Sequence, residues 1–150
     1  MLARRTHHTG FTVSDIERSV AFYRDVLGLE VVAQWVGTAD YLAVHTGYPG
    51  VRLNIAFVKV PGSDQMLELL EYASHPAEPT DRARNRPGNG HLCFVVDDTW
   101  ASYRELVAKG VRFDNEPVTI TTGFNAGAVV VYFLDPDGFT LELYQPAPGR

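Results

Sequence analysis

The sequence has one cysteine, Cys93, in 150 residues. A lone thiol makes no internal disulfide and cannot build a multi-thiolate metal site. Positive charge is also scarce: 13 Lys and Arg stand against 18 Asp and Glu, for a net charge of -5. Nucleic-acid binders ordinarily present a basic face, so no nucleic-acid partner is expected. Long apolar runs are missing as well. No stretch reaches the roughly 18 apolar residues that a membrane span needs, so no membrane partner is expected either. The opening Met1-Leu2-Ala3-Arg4-Arg5-Thr6-His7-His8 has charge but no apolar segment behind it, which argues against a signal peptide. What is present is ordinary globular composition, 45% hydrophobic and 21% charged, at about the length of one domain. The expectation is a soluble, cytoplasmic, acidic protein with a real core.

That chain is written twice. His8-Thr9-Gly10-Phe11-Thr12-Val13-Ser14-Asp15 returns in altered form as His91-Leu92-Cys93-Phe94-Val95-Val96-Asp97-Asp98, at an offset of 91 − 8 = 83. At that offset His8/His91, Phe11/Phe94, Val13/Val96, Asp15/Asp98 and Ser19/Ser102 coincide. Each copy continues as a helix. Ser14 and Glu17 have capping-box spacing, and Ile16, Val20, Tyr23 and Leu27 form one apolar stripe ending at Gly28. In the second copy Asp97 is the expected N-cap, Trp100, Tyr103 and Val107 the stripe, and Gly110 the stop. Strand candidates follow at 29–35, 41–45, 51–60 and 66–72, then at 111–113, 118–122, 128–134 and 139–144. Pro61 to Asp64 and Asp135 to Gly138 have the composition of hairpin turns. The seam, His75 to Gly90, is rich in proline and arginine and reads as a solvated linker.

Alternation along the strands exposes four polar residues. Side chains two apart share a face, so Glu68 lies opposite Leu67 and Leu69, and Glu142 opposite Leu141 and Leu143. His8 and His91 open the first strand of each half, on the face away from Phe11 and Phe94. A carboxylate among apolar neighbours needs a partner. Taken singly, a solvated rim or an arginine such as Arg52 explains Glu68, and a strand-end hydrogen bond explains each histidine. The matched repetition favours a shared role. Two imidazoles and two carboxylates suit one divalent ion such as Zn, Ni, Co, Mn or Fe, and balance its charge.

These stretches, with Ser19-Val20-Ala21-Phe22-Tyr23-Arg24-Asp25-Val26-Leu27-Gly28 and Tyr132-Phe133-Leu134-Asp135-Pro136-Asp137-Gly138-Phe139-Thr140-Leu141-Glu142, resemble the vicinal oxygen chelate superfamily. This is the glyoxalase / bleomycin-resistance / extradiol-dioxygenase group. The resemblance runs from His8 to Gln145. It implies an α+β fold of two paired βαβββ modules forming a curved mixed-sheet cleft, with module 1 at 7–74, module 2 at 90–146 and a linker at 75–89. The family's ligand positions fall on His8, Glu68, His91 and Glu142; His7 is adjacent, but strand register with Phe11 and Val13 favours His8. The set matches bacterial-type glyoxalase I, with methylmalonyl-CoA epimerases near.

The resemblance also implies a chemistry. Members of this kind stabilise an enediolate or enolate on a divalent metal while a base moves a proton. Glu142 is the expected base, with Glu68 able to serve the opposite face, and His45 or a bound water as the alternative. An extradiol dioxygenase would need the position that Glu68 fills, so lyase or isomerase chemistry is favoured. Epimerases of the family carry a further glutamate in a strand of the first half; 41–46 has none, and His45 stands there instead. A small-molecule substrate and a homodimer are implied. A metal-free protein that sequesters an aromatic drug or metabolite is the competing class, with Trp35, Tyr41, Tyr48, Phe124 and Tyr144 as candidate lining.

Overall fold

The structure, a computed structural model, describes residues 2–149. The chain divides between Pro79 and Thr80 into two compact units. The first runs β1 (His8–Thr12), α1 (Ile16–Ala21), a π-helical turn (Phe22–Val26), β2 (Glu30–Gly37), α2 (Asp40–Thr46), β3 (Leu53–Lys59) and β4 (Met66–Tyr72). The second runs β5 (His91–Val95), α3 (Thr99–Ala108), β6 (Arg112–Phe113), β7 (Val118–Thr119), β8 (Val129–Leu134) and β9 (Thr140–Gln145).

Each unit closes its sheet in the same way. The orders are β1-β4-β3-β2 and β5-β9-β8-β6, with β7 also paired to β8. The closing strand lies parallel to the opening strand and antiparallel to the strand before it. Alternation then sets the core: Leu67 and Leu69, like Leu141 and Leu143, are buried. Burial of each such leucine contributes about 1.5–3 kcal/mol, which holds the register against a slip. The hairpin at 135–138 is fixed by Asp135, whose Oδ1 accepts from the amides of Asp137 and Phe139 at 3.0 and 2.7 Å.

The helix starts differ from the sequence expectation by one residue. The N-caps are Asp15 and Asp98, whose carboxylates accept from the amides of Arg18 and Ala101. Ser14 is therefore not a cap; its hydroxyl accepts from the Arg18 guanidinium at 2.8 Å. Nor is Asp97, and one residue turns a helix by about 100°. The buried face of α3 accordingly carries Thr99 and Leu106, while Trp100 and Val107 are exposed. A second acceptor waits at each helix start. Ile16 N–H donates to Glu71 Oε2 at 3.0 Å, and Thr99 N–H donates to Gln145 Oε1 at 3.0 Å. The end of each closing strand thus docks its helix.

Residues 41–45, expected as a strand, form most of α2. Three local features stabilise the helix. The Thr46 hydroxyl donates to the Leu42 carbonyl at 2.7 Å, and Gly47 ends the helix at φ 79°, a conformation favourable to glycine. Leu42 is the buried residue, packed with Val51, Leu53 and Ile55. It fits because Gly37 has no side chain: a Cβ there would stand 2.8 Å from Leu42 Cδ1.

Candidate functional site

The strand register explains how each histidine meets its glutamate. Gly10 stands opposite Glu68, and Cys93 opposite Glu142, with the histidines two residues earlier on the same strands. Residues two apart share a face, so each imidazole is the diagonal neighbour of a carboxylate. His8 Nε2 lies 3.2 Å from Glu68 Oε2, and His91 Nε2 lies 3.1 Å from Glu142 Oε2. The glutamate side chains are 19% and 14% exposed and the histidines 39% and 44%. Carboxylate at the floor and imidazole at the rim is therefore the arrangement in both units.

Of the four sequence-predicted ligands, the structure thus brings together His8 with Glu68 and His91 with Glu142. Among the described residues no group of three or more His, Cys, Asp or Glu side chains is placed to hold a metal ion. The donor spacing within each pair is nonetheless that of neighbouring ligands. Two atoms bonded to one ion at about 2.1 Å and at right angles stand about 3.0 Å apart. Each pair fits one edge of such a coordination shell.

The surroundings of the two glutamates were not anticipated from the sequence. On the side away from the opening strand, Phe57 faces Glu68 and Tyr132 faces Glu142. Each ring meets the adjacent histidine edge-on, His8 with Phe57 at 5.7 Å and His91 with Tyr132 at 5.2 Å. On the other side Gly10 leaves Glu68 open, where a Cβ would come 3.7 Å from Oε2. Cys93 fills the equivalent place beside Glu142. Burial, the Glu142 charge and a hydrogen bond to that carboxylate push the Cys93 thiol up to about 12. The Tyr132 phenol is raised too, by burial first and then by Glu142, with Arg84 opposing. Register is the signal that finds these neighbours, once the strands are paired.

Two linker arginines belong to this second unit. Arg84 lies over the Tyr132 ring at 5.2 Å and pairs with Asp114, and Arg82 lies over Phe139 at 5.4 Å. The rest of 76–90 is largely exposed, as a solvated linker would be. His45, offered as an alternative base in a strand, is an exposed residue of α2. Of the aromatics proposed to line a binding cleft, Tyr41 and Phe124 are well exposed. The Tyr144 hydroxyl donates to Asn125 at 3.2 Å. Trp35 stacks on Phe57 with ring centroids 5.8 Å apart.

The fold agrees with what the chain is similar to. Residues 5–143 match the Glyoxalase/Bleomycin resistance protein/Dioxygenase superfamily, and the chain belongs to that superfamily. It is 36% identical over 148 residues to a 2-epi-5-epi-valiolone epimerase of Actinomyces sp, covering 95% of this chain and 80% of that protein. It is 27% identical over 143 residues to a probable lactoylglutathione lyase of Synechocystis, covering 95% and 96%. A glyoxalase family protein from Bacillus cereus has the same fold, with a TM-score of 0.83 at 19% identity over 98% of this chain and 96% of that one. Among the described residues no helix is long and apolar enough to cross a membrane.

Proposed function

We propose that this protein is a metal-dependent lyase or isomerase that moves a proton at a carbon beside a carbonyl, with His8, Glu68, His91 and Glu142 as the ligands of one divalent ion. The observation that carries the reading is the repetition of one imidazole–carboxylate pair, at 3.2 and 3.1 Å, on equivalent strands of both units. Two neutral imidazoles and two carboxylates suit zinc, nickel, cobalt, manganese or iron, and leave the site near neutral. A divalent ion held there would supply Lewis-acid stabilisation of negative charge developing on the substrate carbonyl.

The chain's own residues supply the rest. Glu142 is the proposed base, because it is the more covered carboxylate and Tyr132 and Cys93 flank it. That setting holds the carboxylate in place and limits water around it. Glu68, in its more open setting of Phe57 and Gly10, would serve the opposite face of the substrate carbon. A carboxylate from each module suits epimerisation, and the relative at 36% identity is named an epimerase. The substrate class is a small molecule with an acidic C–H next to a carbonyl, and the proposed assembly is a homodimer in the cytoplasm.

The stacked Trp35 and Phe57 support a second reading, sequestration of an aromatic compound without a metal. One experiment separates the two. Protein purified without chelator is analysed for metal, then incubated in D2O with 2-epi-5-epi-valiolone, thiol adducts of 2-oxoaldehydes and epimerisable acyl thioesters. About one equivalent of metal, with metal-dependent deuterium uptake beside the carbonyl, supports the enzyme. No metal and no exchange, with tight binding of an aromatic compound, overturns it.

A further inference from the structure

The second unit carries a cation that no carboxylate of the described residues matches. Arg82 lies over the Phe139 ring at 5.4 Å. It is partly covered, and its Nε is buried with no hydrogen-bond partner. The adjacent Asp81 is taken by Arg86 at 2.6 Å. A guanidinium drawn partly out of water without a counterion is costly, and an arriving anion would relieve that cost. Two residues on, Arg84 lies over the Tyr132 ring at 5.2 Å and gives its Nη2 to Asp114. A guanidinium stacked on a ring keeps its N–H edge for an acceptor in the ring's plane. The segment that carries both arginines is braced. The Asn89 side chain donates to the carbonyls of Asp81 and Ala83 at 3.1 and 3.0 Å, and the Ala83 amide donates to Asp81 Oδ1 at 2.9 Å.

We propose that Arg82 and Arg84 form an anion site that takes a carboxylate of the substrate, away from the carbon that Glu142 deprotonates. Its service to that reaction rests on the function proposed above; the anion site itself does not. Position and charge define the ligand. Tyr132 stands directly opposite Glu142, and cross-strand neighbours are about 4.5–5.5 Å apart. The Arg84 guanidinium, one ring further on, is therefore on the order of 10 Å from the Glu142 carboxylate. Less a hydrogen bond at each end, the space between is that of a short chain of a few bonds. Asp114 matches the charge of Arg84, so the two arginines keep one positive charge between them. That suits a monoanion, and a carboxylate offers two oxygens to the arginine fork. The substrate class is then an oxo acid, with its carboxylate a few bonds from the acidic C–H.

Arginine Nε–H NMR of the full chain, titrated with 4-oxopentanoate and separately with its methyl ester, tests this directly. The acid should shift the Arg82 and Arg84 signals together and to saturation, while the exposed Arg104 stays still. The ester should shift neither. Arg82→Gln should weaken binding of the acid by about 10–100-fold, the worth of a hydrogen bond between charged groups. Arg84→Gln should cost less, because Asp114 already holds part of that guanidinium. Shifts that only follow those of Arg104, or equal affinity for acid and ester, would overturn the proposal. Deuterium uptake beside the ketone, with metal present, then places the site in the reaction. The ratio of kcat/KM for the acid to that for the ester should fall in Arg82→Gln by the same factor as the affinity. A ratio that does not move would overturn the substrate role of the two arginines. If the wild type binds the acid at Arg82 yet exchanges neither compound, the result counts against the function proposed above, and the anion site stands.

Discussion

The two units present the same donor atoms in different company. Around Glu68 stand Gly10 and Phe57, neither of which offers a side-chain hydrogen bond. Around Glu142 stand Cys93 and Tyr132, a thiol and a phenol, with Arg84 over the phenol ring. The pair distances differ by only 0.1 Å. The two units share the geometry of the histidine and glutamate and differ in its neighbours. Equal spacing with unequal surroundings is what the proposed division of labour needs: two pairs to hold an ion and one carboxylate to move a proton.

The largest effect that could break this comparison is at the two carboxylates. Glu142→Gln keeps a coordinating oxygen and removes the base, so turnover should fall by on the order of 10²–10⁴-fold with metal retained. Glu68→Gln should match that loss if the reaction is an epimerisation, and fall well short if one face alone is deprotonated. Steady-state rates with metal analysis on both variants decide. Near-normal turnover in Glu142→Gln removes it as the base.

Metal retention comes next. His91→Ala and His8→Ala should each lower occupancy by at least about 10-fold while leaving far-UV circular dichroism unchanged, because the core leucines carry the fold. Chelation should abolish turnover in the wild type, and zinc or nickel should restore it. Full occupancy in either alanine variant would remove that residue from the ligand set.

The thiol gives a smaller and sharper contrast. With Cys93 pushed up from 9.0 to about 12, its alkylation at pH 8 should run about 10³-fold slower than that of a free thiol and rise roughly tenfold per pH unit. The sign is set by the raised value. Stability from this group is complete below about pH 9, where the unfolded thiol begins to ionise, and is lost as pH rises towards 12. Glu142→Gln removes two of the causes and should speed alkylation; unchanged rates would mean that burial alone acts. Cys93→Gly, which copies Gly10, should leave the His91–Glu142 pair able to bind metal.

Much of this is legible in the sequence alone. The offset of 83 that aligns His8 with His91 also aligns Asp15 with Asp98, the true helix caps. Local composition pointed to Ser14 and Asp97 because a polar residue one step away has equal capping chemistry, and only packing of the helix decides between them. The segment at 41–45 is apolar and short, the case in which periodicity does not separate strand from helix. Its outcome hangs on Gly37, at the end of the preceding strand, making room for Leu42. The glutamates were legible because a charge breaks an apolar strand. Phe57 and Tyr132 were not, since an aromatic on a strand is ordinary until register sets it beside a carboxylate.

The finest contrast is at the helix starts. Glu71 and Gln145 occupy the same place on the closing strands, 71 − 68 = 3 and 145 − 142 = 3 residues beyond the candidate ligands. Each accepts one backbone amide at 3.0 Å, from Ile16 and Thr99. Glu71 Oε2 also accepts from the Asn54 amide at 3.0 Å. A hydrogen bond to a charged acceptor is worth roughly 1.5–3 kcal/mol and a neutral one about 0.5–1.5 kcal/mol. Glu71→Ala should therefore destabilise by more than Gln145→Ala, by about 1 kcal/mol, in urea melts at pH 7. Glu71→Gln should bring the first unit down to the level of the second. The expected order is Glu71→Ala above Gln145→Ala, with Glu71→Gln between Glu71→Ala and the wild type. Equal losses at Glu71 and Gln145 would mean that docking by the strand end depends on the shape of the acceptor and not on its charge.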